Sequence, residues 1–398
     1  MIKKINKIAV IGSGIMGSRI ACHFANIGVE VLLLDIVHEG AENNRNKIVN
    51  DSLQNTLKSK PSPIYSKSFS SRITTGNLSD DISKINEVDW IIEVIIENLE
   101  IKQQLFSDIE KYRIPGTIIS SNTSGIPINT MIEGRTDDFC QYFCGTHFFN
   151  PPRYLKLLEI IPSKKTNPEL ISFLMSYGEK FLGKTTVLCK DTPAFIANRI
   201  GIAGIAALFK ISEDLKMSIE EIDTLTGPII GRPKSATFRT SDLVGLDTLN
   251  SVAKGVYDNC INDEQRAIFN LPSFIKKMLD KNWLGDKTKQ GFYKKDRDAK
   301  GNRKILSLNL TTLEYQEKRK TKFETIQKAK KINNLKKRLP ELIKGEDKAA
   351  IFYKKMFAFM FAYVAHRIPE ISDEIYKIDA AMCAGFGWEI GPFEIWDS

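Results

Sequence analysis

The chain has 398 residues, of which 42% are hydrophobic, and this is enough for two or three globular domains with substantial cores. The formal net charge of +9 is concentrated at residues 294–344, where lysine and arginine far outnumber aspartate and glutamate. Because aromatic residues are sparse there, we expect a solvated basic segment and no nucleic-acid site. No apolar run approaches the roughly 20 residues of a membrane span, so no integral membrane segment is expected.

The cysteines and histidines give no sign of a metal site. The six cysteines include no C-x-x-C pair, and the chain has only four histidines. We interpret the cysteines as buried thiols of a reducing compartment. The N-terminal lysines and the apolar run after them resemble a secretory signal, but Gly12, Gly14 and Gly17 interrupt that run. We therefore expect a first strand at this position and a cytoplasmic protein.

The first elements form a predicted βαβ unit. Residues 8–11 are a fully apolar run, which is typical of a parallel strand that is covered on both faces. Apolar residues then recur at helical spacing until Gly28, and a second apolar run ends at Asp35. This pattern predicts an α/β, Rossmann-like, doubly wound domain, to which we assign residues 1–189.

The turn between the first strand and the first helix reads Gly12-Ser13-Gly14-Ile15-Met16-Gly17. In such a turn the first glycine permits a tight bend, the second lets the backbone approach a pyrophosphate, and the third lets the helix pack against the strand. The helix N-terminus then faces the phosphates. Asp35 would accept hydrogen bonds from an adenosine ribose and repel a 2′-phosphate, which favours NAD over NADP. A doubly wound domain whose cofactor site has decayed is the alternative.

Residues 89–97 are expected to form another buried strand, whose apolar run from Trp90 is accompanied by the carboxylates of Glu93 and Glu97. Glu97 is placed at the carboxyl end of that strand, the edge at which open α/β sheets bind ligands. Lys102 follows on a helix that is expected to begin near Glu100. Glu93 lies within the apolar run, where an acid needs a partner, and it is either structural or functional.

Small polar residues follow the next predicted strand, at residues 117–121. The loop Asn122-Thr123-Ser124-Gly125 places hydroxyl and amide groups at the carboxyl edge of the sheet, where loops carry function. Ser124 is therefore a candidate site residue, although serine is also a common helix-capping residue.

A histidine and a glutamate form the sharpest catalytic pattern in the sequence. His147 precedes Phe148-Phe149-Asn150, and Glu159 interrupts the apolar strand expected at residues 156–161. A carboxylate on one ring nitrogen fixes the tautomer of a histidine and raises the basicity of the other nitrogen. Such a pair can take a hydroxyl proton while hydride leaves the same carbon. The alternative is that each is a satisfied core residue.

With these motifs in this order, the sequence resembles the NAD-dependent L-3-hydroxyacyl-CoA dehydrogenase family of fatty-acid β-oxidation. The resemblance covers residues 6–293. It is carried by the glycine turn, Ile96-Glu97-Asn98-Leu99, Ser121-Asn122-Thr123-Ser124, His147-Phe148-Phe149-Asn150-Pro151 and residues 190–199. The resemblance implies NAD as the cofactor and an acyl-CoA thioester as the substrate.

The resemblance also implies roles for individual residues. In the family pattern, His147 is the general base with Glu159 as its partner, while Ser124 and Asn198 hold the substrate oxygens. The residues implied for the cofactor side of the pocket are Gly12, Gly14, Ile15, Met16, Gly17, Asp35, Glu97, Lys102, Asn122 and Asn150. The cations that would bind the CoA phosphates do not align with the family pattern. Candidates are Lys58, Lys60, Lys67 and Arg72, with a solvated loop as the alternative.

The family has a second, all-helical domain that commonly forms a homodimer, and residues 190–293 resemble it. An internal repeat follows, because Asp223 with Gly231 recurs approximately as Asp379 with Gly391. The repeat predicts a partial second helical copy at residues 346–398, after a basic linker at residues 294–345.

The second copy is expected to support the reaction, not to perform it, since Lys354 stands near the place of Asn198. The second copy ends at Ser398, whereas the first copy continues past the corresponding position to residue 293. We therefore expect a fragment of a longer multifunctional β-oxidation protein, with a missing C-terminal module such as an enoyl-CoA hydratase.

The function that these patterns favour is oxidation of (S)-3-hydroxyacyl-CoA to 3-ketoacyl-CoA, with hydride passing to NAD+. One alternative is an NAD-dependent dehydrogenase of a small hydroxy acid without CoA. The other is a non-catalytic, NAD-binding assembly module.

Overall fold

A computed structural model describes residues 4–38, 40, 44–297, 301–319 and 321–398. The chain divides into two compact units, residues 1–195 and residues 196–398. None of the helices within the described ranges combines the length and apolarity that a bilayer crossing requires.

The first unit is built on an eight-stranded sheet with the order β3-β2-β1-β4-β5-β6-β7-β8. Its strands are β1 (Lys7–Ile11), β2 (Glu30–Asp35), β3 (Ile73–Asn77), β4 (Trp90–Glu93), β5 (Ile118–Ser121), β6 (Phe143–Phe148), β7 (Leu157–Pro162) and β8 (Thr185–Leu188). Neighbouring strands are parallel except β6 and β7, which are antiparallel. Strand β1 is buried on both faces, as its continuous apolar sequence predicts.

Helices cover this sheet, which confirms the doubly wound prediction. They are α1 (Ile15–Asn26), α2 (Lys47–Lys58), α3 (Leu78–Asp81), α4 (Leu99–Tyr112), α5 (Ile128–Met131), α6 (Asp137–Gln141) and α7 (Pro168–Lys180). In the core, the rings of Phe24 and Trp90 pack edge to face with centroids 5.4 Å apart. The buried indole N–H of Trp90 donates to Ser120 Oγ at 2.9 Å, so this polar group does not lack a partner.

His23 makes the stability of the first unit sensitive to acid. It lies on α1, is 5% exposed, and its Nε2 is 3.1 Å from the carbonyl oxygen of Leu182. Burial, together with the nearby Lys184 ammonium, lowers the pKa of His23 from 6.5 to about 3. The unfolded chain therefore binds more protons between these two pH values, and stability is lost as pH falls through that window.

We expect this residue to lower the free energy of unfolding by about 2 kcal/mol between pH 7 and pH 5. The His23→Gln variant cannot take up the proton and should show a correspondingly flatter dependence. Denaturant unfolding curves of both proteins at pH 7, 6 and 5 measure the difference. Identical pH slopes would contradict the assignment.

The second unit is mainly helical. Its helices are α8 (Ala197–Asp214), α9 (Ile219–Leu225), α10 (Phe238–Val244), α11 (Leu246–Asn259), α12 (Ser273–Asp280), α13 (Glu324–Ala329), α14 (Leu335–Arg338), α15 (Glu341–Lys344), α16 (Lys348–His366), α17 (Ile375–Phe386) and α18 (Pro392–Trp396). Its strands are β9 (Tyr293–Arg297), β10 (Arg303–Leu308) and β11 (Tyr315–Glu317), which form an antiparallel sheet with β10 in the middle.

These strands, together with α13, α14 and α15, correct the expectation of a basic linker at residues 294–345. The helical prediction for residues 190–293 is confirmed, since they contain α8 to α12. The segment at residues 294–345 is anchored by apolar side chains, since Leu308 is 2% exposed and Ile326 and Leu342 are buried on α13 and α15. These apolar residues are few and lie among many lysines, so the sequence pattern did not reveal them. Their burial is nevertheless enough to hold the segment in place.

The internal repeat is present in the structure. Asp223 accepts hydrogen bonds from backbone N–H groups around the start of α10, and Asp379 does the same at the start of α18. The structure corrects one detail of the predicted alignment. Gly231 and Gly387 share the same left-handed backbone, with φ of 70° and 67°, so Gly387 and not Gly391 is the counterpart of Gly231.

Candidate active site

The glycine turn after β1 has the shape that a dinucleotide requires. Gly12 has φ of +102°, and a Cβ there would lie 2.6 Å from the carbonyl oxygen of Val94. A Cβ on Gly17 would lie 1.8 Å from the carbonyl oxygen of Gly12, so helix and turn could not pack. A Cβ on Gly14 would meet nothing within 4 Å, which leaves room for a bulky group beside the backbone.

The N-terminus of α1 can bind an anion. Its first turn contains Ile15, Met16 and Gly17, whose N–H groups precede the first hydrogen bond of the helix, from Ser18 N–H to the carbonyl oxygen of Gly14. These N–H groups point out of the helix end, where a phosphate is favoured. Ile15 is 67% exposed, so the turn is open.

Asp35 lies beside this turn at the end of β2. Its carboxylate accepts a hydrogen bond from the backbone N–H of Ser13 at 2.6 Å and another from the Ser13 hydroxyl. The second carboxylate oxygen accepts from the Ile36 N–H at 2.7 Å. The turn, the helix end and this carboxylate together fit NAD, whose pyrophosphate and ribose they would hold.

The His147–Glu159 pair is assembled by two antiparallel strands. The register of β6 and β7 places Glu159 directly opposite His147, and Nδ1 of His147 lies 2.7 Å from Glu159 Oε2. Glu159 is fully buried and His147 is 6% exposed. The rings of Phe149 and Phe195 lie against the imidazole, at centroid distances of 4.6 and 5.7 Å. The arrangement fixes the ring and its tautomer and leaves Nε2 for chemistry.

A buried ion pair joins β4 to α4, and β5 separates it from the strand that carries His147. Lys102 on α4 is 1% exposed, and its Nζ is 2.5 Å from Oε1 of the fully buried Glu93 and 3.4 Å from Glu97 Oε2. The second oxygen of Glu93 accepts from the Ser121 hydroxyl. Burial raises the pKa of Glu93 even though Lys102 opposes that effect. The sequence left the role of Glu93 open, and the structure makes it the main partner of Lys102.

Glu97 does not lie on a strand, which corrects the expectation of a strand over residues 89–97. Strand β4 ends at Glu93, because the Glu93 carboxylate captures the backbone N–H of Ile95 at 2.7 Å and turns the chain. Glu97 follows in the loop, and its side chain is 43% exposed. It still reaches the carboxyl edge of the sheet, where its Oε1 accepts hydrogen bonds from the Thr123 hydroxyl at 2.6 Å and the Ser124 N–H at 2.9 Å.

The loop after β5 connects Glu97 to the strand that carries His147. The Ser124 hydroxyl lies 3.3 Å from Glu97 Oε1. Asn122 Oδ1 accepts the backbone N–H of Phe148 at 2.9 Å, which ties the loop to the residue after His147. Asn150 is exposed, and its Oδ1 accepts a hydrogen bond from Arg19.

Other predicted residues lie elsewhere. Asn198 is in the second unit, in the first turn of α8. Of the candidate CoA cations, Lys58, Lys60 and Lys67 are exposed, whereas Arg72 donates to the carbonyl oxygen of Ala25 at 2.6 Å. Among the described residues, no group of three or more His, Cys, Asp or Glu side chains is placed to hold a metal ion.

Sequence reasoning missed several residues that shape the site. Ser13 orients Asp35, Thr123 binds Glu97, and Phe195 covers the imidazole of His147. Ser13 and Thr123 were visible as polar residues inside recognised motifs. Phe195 also lies in a recognised motif, at residues 190–199, but nothing in that motif indicated its contact with His147, which joins distant parts of the chain.

Two family descriptions match the chain. Residues 7–192 match the NAD binding domain of 3-hydroxyacyl-CoA dehydrogenase, and residues 195–295 match the C-terminal domain of the same family. The match of the first unit to the NAD-binding domain confirms NAD as the cofactor.

The chain is 48% identical to a "Probable 3-hydroxyacyl-CoA dehydrogenase" of Bacillus subtilis, over 100% of this chain and 51% of that protein. It is 35% identical to a "Putative fatty acid oxidation complex trifunctional enzyme" of Rickettsia felis, over 99% of this chain and 53% of that protein. The chain thus spans about half the length of these two relatives.

The crystal structure of 3-hydroxybutyryl-CoA dehydrogenase from Escherichia coli has a similar fold, with a TM-score of 0.71 and 21% identity. The similarity covers 98% of this chain and 90% of that one. The two family matches extend over more than half of the sequence, and the chain therefore belongs to the 3-hydroxyacyl-CoA dehydrogenase family.

Proposed function

We propose that the chain oxidises (S)-3-hydroxyacyl-CoA to 3-ketoacyl-CoA in fatty-acid β-oxidation. The observation that carries the proposal is the 2.7 Å contact between His147 Nδ1 and the buried Glu159 carboxylate, in the same unit as the glycine turn. Bound NAD+ supplies the acceptor for the hydride that leaves C3 of the substrate. Nε2 of His147 takes the proton of the 3-hydroxyl, and the C–O bond becomes the ketone.

Glu159 and two polar side chains complete the proposed chemistry. Glu159 stabilises the imidazolium that forms when His147 accepts the proton, and it holds the ring in one orientation. Ser124 and Asn198 bind the oxygens of the substrate, as the family pattern implies. Phe149 and Phe195 exclude water from the imidazole, which strengthens its contact with Glu159.

The cofactor side of the site is proposed from the same pattern. The N-terminus of α1 would bind the pyrophosphate, and Asp35 would bind the adenosine ribose. Glu97 is proposed to lie near the nicotinamide end with Lys102, which holds it at 3.4 Å, and Asn122 and Asn150 are proposed on the same side.

The test measures NADH absorbance on mixing the chain with acetoacetyl-CoA, beside parallel mixtures with free acetoacetate and with NADPH. We expect NADH to be consumed only with the thioester, and NADPH to react much more slowly. Equal consumption with acetoacetate would favour a dehydrogenase of a small hydroxy acid. Tight NADH binding without turnover of either substrate would favour a non-catalytic, NAD-binding assembly module.

We also propose the partners and the compartment. The name of the Rickettsia felis relative, a trifunctional enzyme of fatty acid oxidation, supports a multifunctional protein, and we propose an enoyl-CoA hydratase as its further module. A homodimer through the second unit is proposed from the family, and light scattering would measure it. A reducing compartment such as the cytoplasm is proposed, because none of the six cysteines, all of which lie within the described residues, is part of a disulfide.

A further inference from the structure

A buried ionic cluster holds the second unit together around Asp263. Its Oδ2 accepts hydrogen bonds from Arg199 Nη2 at 2.6 Å, Arg367 Nη1 at 2.9 Å and the Tyr363 hydroxyl at 2.9 Å. Arg199 and Asp263 side chains are fully buried. Glu370 adds a second carboxylate, 3.0 Å from Arg199 Nη2 and 2.7 Å from Arg367 Nη1. Such a cluster is costly to bury unless every charge is paired, so its geometry is tightly determined.

The cluster joins the two helical copies. Arg199 belongs to α8 in the first copy, whereas Tyr363 and Arg367 lie at the end of α16 in the second copy. Arg199 Nε donates to the Tyr363 oxygen at 2.8 Å, so one side chain of the first copy is held directly by two side chains of the second, Tyr363 and Glu370, while Arg367 acts on it through Asp263. The sequence predicts that the second copy supports the reaction, and this contact gives a physical route for that support.

Arg199 follows Asn198 directly, in the first turn of α8. That turn begins at Ile196, which has no side-chain oxygen with which to cap a helix. The two residues before it, Ala194 and Phe195, have φ of 62° and 50°, a conformation that costs energy in residues other than glycine. The contacts of Arg199, the residue beside Asn198, are therefore tertiary interactions that help to hold the start of α8.

We propose that Tyr363, Arg367 and Glu370 of the second copy are positioning residues for the reaction, which act by fixing Arg199 and thereby the side chain of Asn198. The inference rests on the proposed function, in which Asn198 holds a substrate oxygen. A small displacement of a group that orients the substrate can lower turnover by up to about 10²-fold without unfolding the protein.

The test uses two hydroxyl deletions on the same helix. Tyr363→Phe removes the donor to Asp263 and the acceptor of Arg199 Nε but leaves all charges paired. Tyr353→Phe is the matched control, because Tyr353 is also a buried tyrosine of α16, and its hydroxyl donates to the Leu225 carbonyl oxygen at 2.8 Å. Thermal unfolding of both variants checks that each is folded at the assay temperature, so that a difference in kcat does not come from loss of folded protein.

With acetoacetyl-CoA and NADH as substrates, we expect kcat of Tyr363→Phe to fall about tenfold and that of Tyr353→Phe to change less than about twofold. The KM for NADH should remain unchanged in both, because the cofactor residues lie in the first unit. In the Asn198→Ala background, Tyr363→Phe should cause no further loss, since its effect passes through Asn198.

Equal kcat values for the two tyrosine variants would overturn the inference, and so would a full further loss in the Asn198→Ala background. If Asn198→Ala alone leaves turnover intact, the proposed role of Asn198 fails and the inference fails with it. If Asn198→Ala lowers turnover while Tyr363→Phe does not, only the inference fails.

Discussion

Replacement of His147 by glutamine is expected to lower kcat for acetoacetyl-CoA reduction by about 10²- to 10⁴-fold, the range that a lost general acid–base group typically costs. In reduction, His147 returns the proton that it takes in oxidation, so the same group serves both directions. Glutamine can still donate a hydrogen bond to Glu159, but it cannot exchange a proton. The defect should therefore lie in the chemical step.

NADH binding and thermal stability separate this result from a folding defect. The glycine turn and Asp35 are unchanged in His147→Gln, so its dissociation constant for NADH should match that of the parent. His23→Gln is the matched control, because it removes another buried histidine of the same unit and should retain parental kcat at pH 7. Retention of more than about a tenth of parental kcat by His147→Gln would rule out His147 as the base.

The sequence allowed the cofactor site to be predicted because its parts are local. The glycine turn, the helix that follows and Asp35 lie within one βαβ unit, and each glycine position has a fixed steric reason. From the sequence, His147 and Glu159 could be recognised as residues of the types that form a general base and its partner. Their contact, in contrast, depends on the antiparallel register of β6 and β7, which the sequence pattern alone does not determine.

Features that depend on distant contacts or sparse patterns were missed. Glu93 and Lys102 lie on a strand and a helix, and only packing shows that they are partners. The sheet of β9–β11 was hidden by lysines, since charge dominates composition while a few buried residues such as Leu308 decide the structure. The counterpart of Gly231 was misassigned because Gly387 and Gly391 lie close together in the sequence, and only the backbone conformation shows that Gly387 is the match.

The second large effect is expected at Lys102. Replacement by methionine leaves the fully buried Glu93 carboxylate without its cation, and breaking a buried pair in this way costs about 3–5 kcal/mol. Glu93 would then escape part of the cost by taking up a proton, since burial already raises its pKa. Denaturant unfolding followed at several pH values measures both effects.

The expected pH dependence has a definite sign. The folded-state pKa of Glu93 lies above its value in the unfolded chain. Above about pH 4, the folded protein therefore binds more protons than the unfolded chain does. The stability that Lys102→Met loses relative to the parent should therefore be smallest in weak acid and grow as pH rises from about 4, since the acid sensitivity caused by His23 is common to both proteins. Loss of stability on acidification, relative to the parent, would contradict this account.

Two further variants isolate the buried pair. Lys111→Met also removes a lysine from α4, but the ion pair of Lys111 with Asp108 is solvent-exposed, so the expected cost is below about 1 kcal/mol. Adding Glu93→Gln to Lys102→Met removes the unpaired charge and should restore much of the lost stability, because a neutral amide can still accept the N–H of Ile95. If the double variant were as unstable as Lys102→Met, the loss would come from packing of the lysine stem and not from the uncompensated carboxylate.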